Sequence, residues 1–186
     1  MRTILALLVV VAIAAPAFAG GNPNATAYLT FDPMGEVNRY DPPAPFTEAS
    51  VYICLKHIDA GFISTTFAIV EDAGVTTGLG WSSLLPGGLY IGEWDVGTTV
   101  TSSECVMGPI VVVGEGTAFF MGNPGEIKIV DHPDYPRWVV DCNDEIDPYC
   151  LESNAGVLMD PAPTGEDCSV SPVEDATWGG IKALYR

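Results

Sequence analysis

Between Thr26 and Asp141 the chain never sustains a 3.6-residue apolar period. It breaks instead into short β-branched and aromatic runs, punctuated by Gly, Pro and Asp. Runs of that length cannot be amphipathic helices, and alternation within them marks half-buried strands. Thr26 to Phe31, Ser50 to Ile58, Phe62 to Val70 and Leu89 to Trp94 read as strands. So do Gly97 to Ser103, Pro109 to Val113, Thr117 to Phe120, Gly125 to Asp131 and Arg137 to Asp141. Asp59-Ala60-Gly61 between two of them reads as a hairpin turn. The prolines of Arg39 to Pro45 exclude helix and central strand there. The expected fold is all-β, an immunoglobulin-like antiparallel β-sandwich over residues 20–141.

Residues 1–19 precede that domain and read as a secretory signal peptide. Arg2 supplies the positive end, Ile4 to Ala15 is an unbroken apolar run, and Ala17-Phe18-Ala19 is a cleavage site. The run is shorter than the ~20 residues that span a bilayer, and no other stretch is a transmembrane candidate. The expectation is an exported protein: periplasmic, cell-surface or extracellular. Export permits disulfides among Cys54, Cys105, Cys142, Cys150 and Cys168. The apolar surroundings of Cys54 and Cys105 suggest that they pair, which leaves Cys142 for Cys150 or Cys168.

Charge is unevenly placed. The chain carries 24 Asp and Glu against 7 Lys and Arg, a formal net charge of -17. That sign excludes a nucleic-acid binder, which needs clustered bases to neutralise phosphate. Yet the chain is 48% hydrophobic, unlike an acidic disordered segment. Half of the acids fall between Asp131 and Asp175 with Arg137 as the sole base. Residues 142–172 therefore read as an irregular, disulfide-pinned acidic segment. Within this acidic stretch Asp141, Asn143, Glu145 and Asp147 recur at every second residue, and Glu152 follows. Those offsets match the oxygen ligands of a calcium loop, so Ca2+ is the candidate ligand. Ile146 stands where an EF-hand needs glycine, and no helix flanks the loop, so the loop is not an EF-hand.

No catalytic arrangement is recognisable. There is no G-x-S-x-G, H-E-x-x-H or phosphate-binding loop. His57 lies in a predicted strand, and His132 in Asp131-His132-Pro133-Asp134 reads as part of a turn. Glu93 and Asp95 stand two apart, as a carboxylate pair on one strand face would.

Residues 173–186 form a separate tail: a short helix with Trp178 and Leu184 docked on the sandwich, or a recognition element. The run Pro172 to Arg186 ends in Trp178-Gly179-Gly180-Ile181-Lys182-Ala183-Leu184-Tyr185-Arg186. It resembles the C-terminal tail of an uncharacterised family of exported bacterial proteins, and Asp131 to Cys142 resembles such proteins more loosely. The resemblance implies bacterial export and brings no activity with it. As a recognition element the tail would present Trp178, Lys182, Tyr185 and Arg186 to an envelope or sorting factor. Three function classes follow: a non-catalytic exported binding or structural protein, a hydrolase using exposed carboxylates, or an envelope-associated adhesin-like subunit.

Overall fold

The computed structural model describes residues 21–77, 80–158 and 163–168. Residues 1–19, read from the sequence as a signal peptide, and the tail residues Trp178, Lys182, Tyr185 and Arg186 lie outside them. The described residues form fourteen strands and no helix. They are β1 (Thr26–Thr30), β2 (Arg39–Tyr40), β3 (Glu48–Lys56), β4 (Phe62–Glu71), β5 (Val75–Thr76), β6 (Trp81–Ser83) and β7 (Leu89–Glu93). There follow β8 (Gly97–Val106), β9 (Ile110–Phe120), β10 (Gly125–Val130), β11 (Trp138–Val140), β12 (Ile146–Pro148), β13 (Cys150–Ser153) and β14 (Ala155–Val157).

Two sheets make a sandwich. The first runs β13-β1-β3-β9, and β9 also pairs with β5 and β6. The second runs β12-β11-β4-β10-β14-β2, and β8 joins β4 to β7. Between them lies one core, which includes Leu29, Ile53, Leu55, Phe62, Phe67 and Phe120. Most pairings are antiparallel, but β1–β13 and β14–β2 are parallel. The proline-rich stretch contributes only β2, at a sheet edge, where missing N–H donors do no harm.

Three expectations need correction. First, β3 and β4 do not form a hairpin: they lie in different sheets. Both flanks of β3 are taken by β1 and β9, and β4 pairs with β8, β10 and β11. The link turns the chain across the core through His57 at φ 58° and Gly61 at φ 79°. Second, the two segments around Gly114 are one strand, β9. A bulge opposite Ile53/Cys54 re-phases β9, so that Val111 and Val113 face inward before it and Ala118 and Phe120 after it.

The third correction concerns the cysteines. Cys105 bonds Cys142, and Cys150 bonds Cys168. Cys54 is free and buried. It falls between the inward-facing Ile53 and Leu55, so it points away from the core, opposite Tyr28 on β1. Cys105 closes β8 in the other sheet and cannot reach it. The acidic segment is pinned by both bridges. It also adds β12, β13 and β14 to the sheets.

Candidate binding cleft

One end of the sandwich is open between β7 of the second sheet and β5–β6 of the first, and a cleft of about 740 Å3 lies there. Its aromatic wall is Trp81, Trp94 and Tyr90. Trp81 and Trp94 stack at 5.5 Å, and Tyr90 tilts over Trp94 at 5.8 Å. Two glycines of β9 make room for this wall. The Trp81 ring lies against Gly116 and the Trp94 ring against Gly114, where a Cβ would stand 2.7 Å and 3.1 Å away. Trp81 is fixed by its Nε1–H, which donates to Thr77 Oγ1 at 3.1 Å. Thr77 in turn donates its N–H and its hydroxyl to the Glu71 carboxylate. Trp94 is fixed through its carbonyl, which accepts from Ile69 N–H at 2.7 Å. Its own Nε1–H is buried with no acceptor among the described residues. A buried donor without a partner is uncommon and costs about 1–3 kcal/mol.

The rim is acidic. Glu93 and Asp95 line the cleft with Glu71, and among the described residues no Lys, Arg or His does. Beside it runs β7, every residue of which is exposed. Leu89, Tyr90 and Ile91 are 58%, 49% and 63% exposed. Tyr90 pairs with the inward-facing Val100, so it overhangs the cleft. Leu89 and Ile91 take the opposite face of the strand. Among the described residues β7 pairs with β8 alone, which leaves its outer edge open.

The acidic residues spaced like calcium ligands do other work. Asp141 is fully buried, and one oxygen accepts Asn143 N–H at 2.7 Å and Glu145 N–H at 2.9 Å. Burial alone would raise its carboxyl, but these N–H groups and that of Gly21 hold it below the usual carboxylate range. Asp147 is buried and accepts Asn22 N–H at 2.7 Å. Glu152 pairs with Lys56 on β3, and Asn143 is exposed. The five do not converge, and no group of three or more His, Cys, Asp or Glu side chains suited to a metal occurs among the described residues.

His57 is exposed beyond the end of β3. His132 Nδ1 accepts Asp134 N–H at 3.1 Å, which completes a turn. Neither His132 nor Asp134 lines the cleft. Sequence reasoning found the Glu93 and Asp95 pair but not Trp81, Trp94 or Tyr90. Their signal was tryptophan on either side of a Pro-Gly-Gly turn, which has meaning only once the sheets are stacked.

No family model matches the chain. No curated protein matches it either. Solved structures do. The third ScaB cohesin of R. flavefaciens, in complex with a group 1 dockerin, superposes with a TM-score of 0.51 at 11% identity, over 75% of this chain and 95% of that one. A cohesin module from a Clostridium perfringens family 33 glycoside hydrolase gives 0.49 at 7% identity, over 72% and 96%. The seventh ScaB type I cohesin from Pseudobacteroides cellulosolvens gives 0.48 at 10%, over 77% and 95%. At 11% identity the likeness to the R. flavefaciens cohesin is one of fold alone: a two-sheet sandwich.

Proposed function

We propose that this chain is an exported, non-catalytic binding module that holds an extended segment of a partner protein along β7. The observation that carries the reading is β7 itself, an open edge strand with Leu89, Tyr90 and Ile91 exposed. Uncovered apolar edges invite another strand, and proteins ordinarily blunt or cover them. Strand addition is a common mode of peptide capture: main-chain bonds give affinity and alternate side chains give selectivity. The net charge of -17 opposes a second copy of the chain as the cover and favours a basic partner. Two disulfides support export. The R. flavefaciens cohesin with the same fold is itself in complex with a dockerin, so the sandwich is one that serves protein recognition.

A short-peptide display library selected against the disulfide-intact protein tests the reading. Basic, β-branched segments are expected to enrich. Leu89→Lys with Ile91→Lys should weaken them by about tenfold or more while leaving thermal stability unchanged. Segments that bind the double variant as well as the native protein would overturn it.

A further inference from the structure

We infer that residues 181–186 of this chain lie along β7 and cover it until a partner segment displaces them. This rests on the β7 reading and names the regulation of that same site. Each Lys and Arg among the described residues is already in an ion pair. Arg39 pairs with Asp41, Lys56 with Glu152, Lys128 with Asp72 and Glu126, and Arg137 with Asp131 and Glu166. The stretch from Ala176 to Arg186 holds no acid and carries Lys182 and Arg186, two of the seven bases of the chain. It is a basic segment within a chain of net charge -17, and β7 is an apolar edge that runs into exposed Glu93 and Asp95. An uncovered edge of that kind favours a strand of opposite charge.

The alternation of the two segments matches. Extended, residues 181–186 would carry Ile181, Ala183 and Tyr185 on one face, and Lys182, Leu184 and Arg186 on the other. On β7 the exposed Leu89 and Ile91 share one face, and Tyr90 on the other overhangs the acidic rim. Side chains of adjacent strands meet on the same face. A single placement therefore sets apolar against apolar and base beside acid. The tether also reaches. Cys168 is held to β13 by its bridge to Cys150, and β13 lies at the opposite edge of the first sheet from β5 and β6. With strands about 4.8 Å apart and sheets about 10 Å apart, β7 lies about 30 Å from it. The connecting residues 169–180 span up to about 40 Å when extended. A tether of that length supplies an effective concentration on the order of millimolar, so a segment of modest affinity fills the edge. The net charge of -17 works against the same segment arriving on a second copy.

The test compares the disulfide-intact full chain with one that stops at Gly180, which keeps every described residue and both bridges. Amide hydrogen exchange over residues 89–93 should be about tenfold or more faster in the shortened chain. A synthetic peptide of residues 176–186 should bind the shortened chain saturably and the full chain about tenfold or more weakly, because the tethered copy competes. Lys182→Glu with Arg186→Glu in the full chain should open β7 as the deletion does. Equal exchange in the two chains, equal peptide affinity, or protection of residues 89–93 that grows with protein concentration would overturn the inference. Display-selected segments that depend on Leu89 and Ile91 yet bind both chains equally would overturn it alone and leave the β7 reading standing. A shortened chain that captures no segment through Leu89 and Ile91 would sink both.

Discussion

The Trp81 ring rests on the backbone of Gly116, where a β-carbon would stand 2.7 Å from its Cδ2 and Cε2 atoms. The ring cannot easily yield, because it is held by Thr77 on its edge and stacked on Trp94. Gly116→Ala should therefore cost about 1–3 kcal/mol, the range for overpacking a filled core. Urea unfolding followed by near-ultraviolet circular dichroism measures both the loss and the altered tryptophan signal. Gly108→Ala is the control. Its nearest neighbour is Ile110 O at 3.3 Å, and a change within about 0.5 kcal/mol is expected.

The cysteine assignment makes a chemical prediction. Cys105–Cys142 and Cys150–Cys168 close loops with sequence separations of 37 and 18. Chain entropy gives about 4 and about 3 kcal/mol for them. Replacing each pair by serine should lower stability in that order. Cys54 is the remaining thiol. Burial first, then the Asp32 charge, pushes it up to about 12, so almost none is thiolate at neutral pH. A thiol-reactive reagent should find no group in the folded protein and one per chain in denaturant. Two or more rapidly reacting groups in the folded protein would contradict the pairing.

These residues also show where sequence reading stops. β3, β4, β8 and β10 were legible because alternation over several residues is a local property. β12, β13 and β14 were not, since three or four residues are too few to show a period. Sheet membership is not local either. Asp59-Ala60-Gly61 suits a hairpin, yet the flanks of β3 were already filled and the chain crossed to the other sheet. The Asp141 spacing suited calcium for a related reason. Asp and Asn cap their own turns at similar offsets, and only the backbone N–H positions tell the two uses apart. In the cleft Glu93 and Asp95 were visible as a pair. Trp81 and Trp94 meet only because glycines of β9 admit both rings.

Asp141 should shape the acid limb of stability. Its folded-state carboxyl lies below the ordinary value of 3.8, because hydrogen bonds from Glu145, Asn143 and Gly21 outweigh the opposing burial. The unfolded chain thus binds the proton first. The stabilisation is fully present above the unfolded value and is lost as pH falls through the folded one. Asp32 acts in the same direction, its burial outweighed by hydrogen bonds from Val37, Thr30, Met34 and Glu36. Urea midpoints measured from pH 6 downward should fall steeply below about pH 4. Asp141→Asn should start lower and fall less. An unchanged slope would show that Asp141 does not titrate in this way.

Asn22 joins the start of the described chain to the crossover between the sheets. Its Nδ2 donates to Gly61 O at 2.7 Å, its Oδ1 accepts Ala60 N–H at 2.9 Å, and it is 1% exposed. Asn22→Ala strands the buried Gly61 carbonyl, worth about 1–3 kcal/mol, and a half-buried Ala60 N–H that water can partly satisfy. Asn22→Asp is the sharper test. One oxygen still accepts from Ala60, but the other then faces the Gly61 carbonyl with no proton between them. The Asp147 carboxylate, which accepts Asn22 N–H, adds like charge nearby. Both effects raise the folded-state pKa of the new carboxyl. Its protonated form can donate to Gly61, so the variant should be nearest to native stability in acid and lose ground as pH rises. That is the reverse of the slope assigned to Asp141. Urea midpoints of the native protein and Asn22→Asp should therefore diverge with rising pH, and a constant gap across the range would mean that this amide does not bridge Gly61 and Ala60.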